Sequence, residues 1–387
     1  MRVALIHSET RVLGGMERVT EAILSNQWPG IDVLGCFLRP GPLVERVSKC
    51  LPQQRCVVLD AGRLRQIGRT IIAVRNIARL LRMWDIDVVI SQGFHSQCYG
   101  GPAARMAGVK NVFWCHSLLR DAELRDPIAR LALHMPADAV LSALDTNVQR
   151  LQSFYKRRCR VYSIHPASPV CSVGADGEAF RREWKVPNNV PLVTIVGRLQ
   201  PWKGQDVFIR AAANVAEHVP DARFFIVGAP TFAEDAAYEA SLKKLALEAG
   251  LGEQVIFTGH RNDIPDVLAA SDVLVHASVE PEPFGLVITE AMAAGKSVIA
   301  TDVGGPAEIV LRNETGLLVP CRDAEALAAA MLRLVRDPAL RTRMGEAGRR
   351  RVATHFSVER MLADLGDVLR RTCGPGASSE ARLTPTP

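Results

Sequence analysis

No stretch of this 387-residue chain is long and apolar enough to act as a signal sequence or to span a membrane. The opening MRVALIHSE turns polar within a few residues and reads as a first β-strand, too short for export. Closely spaced cysteine pairs are missing as well. Nine cysteines lie scattered without one C-x2-C, which argues against a disulfide framework and a structural zinc site and fits reduced thiols in a cytoplasm. A strong excess of one charge is also lacking. The formal net charge of +6 is too mild to imply a nucleic-acid partner. What is left, 48% apolar and 23% charged residues, is ordinary for a soluble globular protein. The length exceeds what one core usually serves, so two domains are expected.

Short apolar runs alternate with amphipathic stretches throughout. RVALIH, residues 2–7, is a strand; a loop with Gly14 and Gly15 follows, then a helix beginning near Met16. Paired glycines let backbone approach a ligand closely, and a helix start offers unpaired N–H donors. Further on, VLGCFL, CVVLD and DVVISQG read as strands, with a long helical stretch from about Leu64 to Met83 before the last of them. That stretch carries Arg63, Arg65, Arg69, Arg75, Arg79 and Arg82 around Ile71, Ile72, Ile77 and Leu80. It suits either a basic amphipathic helix on an anionic membrane or, the reading adopted, a solvated helix face packed on a sheet. Asp85-Ile86-Asp87 has the spacing of a metal motif, but it leads directly into Val88-Val89-Ile90 and reads as polar entry to a buried strand, so no protein-held metal is expected. VFWCHS then sets His116 at the end of an apolar run, at the carboxyl edge where open α/β sheets bind ligands.

The same rhythm restarts after a Pro- and Gly-bearing region near Ser172, taken as the interdomain crossing. Pro191 to Val196 is a strand entering Gly197-Arg198-Leu199-Gln200-Pro201-Trp202-Lys203-Gly204, and a helix follows. Two cations on a short loop at a strand edge suit a diphosphate. Arg198 can engage it bidentately and Lys203 as a point charge. Val273 to Ser278 is another buried strand, followed by turn-formers and the helix LVITEAMAAG, which ends at Gly295. Glu282 therefore lies in a loop at the sheet edge, and Glu290 about two turns into the helix on roughly the same face. The N–H groups of Gly285, Leu286 and Val287 point out of the helix start, a natural seat for phosphate.

The string EPFGLVITEAMAAGKSVIATDVGG, from Glu282 to Gly305, resembles the E-x7-E signature of retaining GT-B glycosyltransferases, the glycosyl transferases group 1 family. G-R-L-x-x-x-K-G from Gly197 resembles that family's donor-diphosphate motif, and the first-strand G-G-x-E its phosphate and acceptor loop. The resemblance covers nearly the whole chain, with the strongest motifs between Gly197 and Gly305. It implies an α/β GT-B fold: two Rossmann-like parallel-sheet domains facing across a cleft. The expected division is 1–171 for the acceptor domain, 172–354 for the nucleotide-sugar domain, 355–372 for a closing helix returning to the first domain, and 373–387 for a disordered tail.

By the same resemblance the catalytic candidates are His116, Glu282, Arg198 and Lys203. Donor binding falls to these together with Gly15, Phe284, Gly285, Leu286, Val287 and Glu290, and His260, Arg261 and Ile264 are candidates to pack on the nucleobase. Gly14, Glu17, Ser117 and Arg120 are acceptor-side candidates. The implied reaction is retaining, metal-independent transfer of a hexose from a nucleotide sugar, with UDP as the default and GDP as the alternative. The acceptor would be a glycan, a lipid-linked glycan or a small natural product such as an antibiotic, and no cofactor is implied. Related enzymes acting on lipid-linked acceptors use basic helices near the arginine-rich segment, so peripheral membrane contact stays open for a cytoplasmic protein. Relatives usually carry a Pro-Asn-Gly-Val-Asp-like turn where this chain has His165-Pro166-Ala167-Ser168. A phosphorylase-like enzyme or a sugar-nucleotide epimerase would need a pyridoxal lysine or paired acids that no stretch resembles. A non-catalytic nucleotide-sugar-binding protein would not need His116, Arg198, Lys203, Glu282 and Glu290 together.

Overall fold

β-Branched apolar runs separated by amphipathic helices favour parallel sheets covered on both faces, because each crossover helix must bury its apolar stripe. The computed structural model describes residues 1–8, 14–50, 55–168, 174–230 and 235–374, and it follows that pattern. Its contacts divide the chain into two units, Met1–Pro169 with Val358–Pro387, and Val170–Ser357. The crossing expected near Ser172 lies outside the described residues, as does the tail from residue 375 onward.

In the first unit the strands are β1 (Arg2–His7), β2 (Asp32–Phe37), β3 (Cys56–Val58), β4 (Val88–Gln92), β5 (Lys110–Cys115), β6 (Ala139–Ser142) and β7 (Arg160–Ser163). They form one sheet in the order β3-β2-β1-β4-β5-β6-β7, and every pairing is parallel. β1 is interior, with Val3 level with Val33 on one side and Val88 on the other. The chain builds outward from β1 to β3 and then returns to β1's other flank as β4. Such a reversal opens a crevice at the carboxyl ends of the two strands, here beyond His7 and Gln92.

The opposite edge is closed by strand-entry contacts. Asp87 accepts the Arg2 N–H at 2.8 Å, so this part of the D-x-D spacing ties β1 to β4, far from the carboxyl edge. The helix Ile67–Met83 packs Ala73, Val74, Ile77, Ala78 and Leu81 inward, as a sheet-packed helix should. Its outer face is less ordinary, since Ile67 and Ile72 are 72% and 57% exposed beside arginines, and the helix contains no acidic residue. The last helix, Val358–Cys373, groups with this first unit; Met361, Leu365 and Leu369 are buried, and the Ala167 N–H reaches Met361 Sδ at 3.2 Å.

The second unit contains β8 (Leu192–Val196), β9 (Arg223–Val227), β10 (Val255–Gly259), β11 (Val273–His276), β12 (Ser297–Thr301) and β13 (Leu317–Val319). Their order is β10-β9-β8-β11-β12-β13, again all parallel. The reversal falls between β8 and β11, and the loops leaving these two strands carry the arginine–lysine motif and the first glutamate. Two Rossmann-like parallel-sheet units of this kind make a GT-B-type α/β protein.

Candidate active site

After β8 the chain makes a short 3₁₀ turn, Pro201–Lys203, and ends it at Gly204 with φ +71°. A β-carbon at Gly204 would lie 2.0 Å from the Ala277 carbonyl oxygen, so only glycine lets this loop press on the end of β11. The Val279 N–H donates to the Trp202 carbonyl at 2.8 Å and pins the two loops together. Within this frame the Lys203 ammonium lies 4.0 Å from the centre of the Trp202 ring and 2.6 Å from Glu282 Oε2. Arg198 projects outward from the same loop, exposed and without an ion pair to the described residues.

Glu282 is held from behind by the two glycines that close the long motif. Its carbonyl accepts the Gly305 N–H at 2.9 Å, and a β-carbon on Gly304 would come within 2.5 Å of that same carbonyl oxygen. One on Gly305 would meet the Phe284 oxygen at 2.1 Å. Phe284 is itself buried against Phe356, with ring centres 5.8 Å apart. The Glu282 side chain is 12% exposed, and all its recorded bonds end on one oxygen. Lys203 Nζ at 2.6 Å, Ser278 Oγ at 3.1 Å and His276 Nε2 at 3.3 Å converge on Oε2, leaving Oε1 without a partner among the described residues. Burial alone would push this carboxyl up. The Lys203 charge and the His276 hydrogen bond outweigh it and hold Glu282 well below the usual carboxylate range. The site thus presents a fixed anion whose open oxygen can only accept a hydrogen bond.

Beside it Gly285 caps the helix Leu286–Ala293 with φ +100°. The Ile288 N–H is the first to turn back, to the Gly285 carbonyl at 2.9 Å, so the Leu286 and Val287 amides face outward as anion donors. The helix begins at Leu286, where its sequence suggests. Glu290 consequently sits little more than one turn in, not two, half-buried. At the end of β10, His260 is exposed, with Nε2 3.3 Å from Asn262 Oδ1, and Ile264 opens the helix Ile264–Ala270. Arg261 is already committed: it bonds both Glu183 oxygens at 2.7 and 2.9 Å, bonds Asp263 at 2.8 Å, and lies over the Phe180 ring.

In the first unit, His116 follows β5 and stacks on Trp114, centre to centre 4.8 Å. Its Nε2 is buried and unpartnered among the described residues. Burial, and secondly the charge of His7, bring its pKa down to about 3, so the ring is neutral at working pH. Ser117 uses its carbonyl to accept from Asn147 Nδ2 at 3.2 Å. Arg120 folds onto Glu123, with Nη2 2.8 Å from Oε1. Gly14 precedes the helix Gly15–Ser25, whose Glu17 turns back to accept the Gly14 N–H at 2.9 Å. Glu17 is nearly buried and also meets His7.

His7, Thr20, Gln92, His276 and Ser278 escaped the sequence reading. Two of them were within reach, because RVALIH and VLVHAS each carry a histidine at a strand's carboxyl end, the signal that singled out His116. Thr20 and Gln92 carry no such mark: a helical threonine and a strand-end glutamine are common, and only the fold brings them together.

Comparison with known proteins bears on both units. The family described as Glycosyl transferases group 1 matches residues 176–351, and that described as Glycosyltransferase Family 4 matches residues 13–167. The chain is 30% identical over 315 residues to a GDP-mannose-dependent alpha-(1-6)-phosphatidylinositol monomannoside mannosyltransferase of Mycobacterium tuberculosis, covering 76% of this chain and 78% of that one. It is 33% identical over 284 residues to a D-inositol 3-phosphate glycosyltransferase of Streptomyces avermitilis, covering 68% of this chain and 61% of the other. Among solved structures, Anabaena Alr3699/HepE in complex with UDP and glucose superposes with a TM-score of 0.83 at 22% identity, over 95% of this chain and 98% of that one.

Proposed function

Because the chain belongs to the glycosyl transferases group 1 family, we propose that it moves a mannosyl group from GDP-mannose to a hydroxyl of a membrane glycolipid, with retention at the anomeric carbon and without a metal. GDP takes precedence over UDP, the default from sequence alone, because the relative matched over most of both chains is named for GDP-mannose.

The observation that carries the reading is the asymmetric carboxylate Glu282. With Oε2 saturated by Lys203, Ser278 and His276, its open Oε1 suits a hydroxyl of the donor sugar, whose O–H donates to it. An ionised, triply bonded carboxylate has no proton to give and little nucleophilic freedom. The proton of the attacking hydroxyl therefore passes to the departing phosphate oxygen, while the sugar–phosphate bond breaks and the new glycosidic bond forms on the same face. Arg198, Lys203 and the Leu286 and Val287 amides would carry the charge growing on the diphosphate, the task otherwise given to a divalent ion. Neutral His116 and the Gly14–Gly15 turn are the ligand-contact candidates of the first unit.

A lipid-linked acceptor is favoured over a soluble inositol phosphate by the outer face of the helix Ile67–Met83. Exposed Ile67, Ile71 and Ile72 alternate there with arginines and no acid, which suits shallow insertion among anionic headgroups. The test is GDP release from GDP-mannose with phosphatidylinositol-containing vesicles or with soluble inositol phosphate as acceptor, alongside a UDP-glucose control. Turnover with GDP-mannose that vesicles stimulate is expected. Turnover only with UDP-glucose, or stimulation only by the soluble acceptor, would overturn the donor or the acceptor assignment respectively.

A further inference from the structure

A buried imidazole and a buried carboxylate at the β1/β4 edge take no part in the chemistry above. His7 is fully enclosed and Glu17 is 5% exposed. One Glu17 oxygen lies 3.3 Å from His7 Nε2, and the other accepts the Gly14 N–H at 2.9 Å. On its far side His7 Nδ1 lies 3.2 Å from Gln92 Oε1 and 3.1 Å from Thr20 Oγ1. Thr20 in turn donates to the Met16 carbonyl at 3.0 Å. The ring therefore ties the ends of β1 and β4 to the first turn of the helix Gly15–Ser25.

Enclosing such a pair is a poor route to stability, since apolar side chains of similar volume generally do as well. Its placement is more informative than its energy. Both Glu17 oxygens are occupied, and a β-carbon at Gly14 would stand 2.9 Å from Oε2, so a larger residue there would have to push the carboxylate aside.

We propose that His7 and Glu17 are positioning residues: the carboxylate, held by His7, fixes the Gly14 backbone so that the Gly15 and Met16 amides at the helix start keep one orientation toward the ligand. This rests on the reading of the Gly14–Gly15 turn as part of the ligand site. It gives Glu17 an inward role in place of the direct acceptor contact that the sequence suggests.

The full-length protein, Glu17→Ala, Glu17→Gln and His7→Asn are compared by amide hydrogen exchange across Gly14–Thr20, by donor calorimetry with GDP-mannose, and by GDP release. Alanine and asparagine are expected to speed exchange at Gly14 and Arg18 at least tenfold. They should also slow GDP release at saturating donor roughly ten- to hundredfold, the cost of small misplacement near a reacting centre, with a smaller loss of donor affinity, because Gly15 is one of several donor contacts. Glutamine keeps an oxygen for the Gly14 N–H and should recover most of both losses. If Glu17→Gln exchanges like wild type yet releases GDP as slowly as Glu17→Ala, the carboxylate acts on ligand by its charge and the proposal fails. Unchanged exchange in both Glu17→Ala and His7→Asn overturns it as well. His7→Asn keeps the test decisive should Glu17→Ala not fold. Exchange needs no substrate, so a wild-type protein inert toward GDP-mannose would remove the donor assignment and leave this comparison standing.

Discussion

Lys203→Ala should do two separable things, and the structure sets the size of each. It removes the ammonium 2.6 Å from Glu282 Oε2 while the carboxylate stays enclosed, 12% exposed. Breaking a buried pair by deleting one partner costs about 3–5 kcal/mol. Here Ser278 and His276 remain on the same oxygen and the pair is not wholly enclosed, so a loss of about 2 kcal/mol is the better figure. At about 2–4 °C per kcal/mol for a unit of this size, melting at pH 7.5 should drop by roughly 4–8 °C.

The pH dependence has a defined sign. In the wild type the Glu282 carboxyl is held below its unfolded value, so its contribution is present in full above the ordinary carboxylate range and is lost only as pH falls through the lowered folded value. Without Lys203 the burial cause, which raises the pKa, is opposed only by the bond and charge of His276 and the Ser278 hydroxyl. The variant's deficit should therefore shrink as pH falls from 7.5 to 5. Glu282→Gln in the Lys203→Ala background removes the stranded charge and should recover at least half of the lost melting temperature. Donor affinity should not recover, since the phosphate has still lost a charged partner worth about 1.5–3 kcal/mol, ten- to hundredfold in Kd. Thermal melts at two pH values and calorimetry with GDP-mannose decide the matter. An unchanged melt for Lys203→Ala at pH 7.5, or a double variant no more stable than the single one, refutes the reasoning.

Arg198→Ala should weaken GDP-mannose binding by a similar ten- to hundredfold but leave the melting temperature within 1–2 °C, as expected for an exposed side chain outside the described ion pairs; a large drop in melting temperature counts against its assigned role. Gly204→Ala should lose about 2–3 kcal/mol in urea titrations, because a positive φ and a 2.0 Å approach to the Ala277 carbonyl must both be relieved; a loss under 0.5 kcal/mol contradicts the loop clamp. The His116 ring should show no titration by NMR between pH 5 and 8, since burial brings it down to about 3; being neutral when folded, it favours the folded state fully above its ordinary pKa and progressively less as pH falls below it. A midpoint near 6.5 would contradict that.

Much of the architecture was legible because period and length agree. RVALIH and PLVTIV are short, β-branched and bounded by turn-formers, and QDVFIRAAANVAEH between later strands has an unmistakable helical stripe. The site was legible where residue types were unusual for their place: two cations in a β-to-α turn, and a glutamate and glycine string at a helix start. Its pairing was not. Sequence gives no reason for Lys203 to face Glu282 across seventy-odd residues, and the link depends on Gly204 fitting against the end of β11. Nor does it reveal that Glu17 turns inward, since a glutamate three residues into a helix is as often a solvated cap as a buried one. Arg261 looked free to meet a nucleobase because Glu183, which grips it, is distant in the chain.

The central claim is that Arg198, Lys203 and the amides at the Leu286 helix start form one seat for the donor's diphosphate. A crystal structure of the protein with bound GDP-mannose tests it most directly. The account predicts phosphate oxygens within hydrogen-bonding distance of the Arg198 guanidinium, the Lys203 ammonium and the Leu286 or Val287 amide, with a sugar hydroxyl on Glu282 Oε1. Phosphates bound away from the ends of β8 and β11, with the Lys203–Glu282 pair untouched, would contradict it.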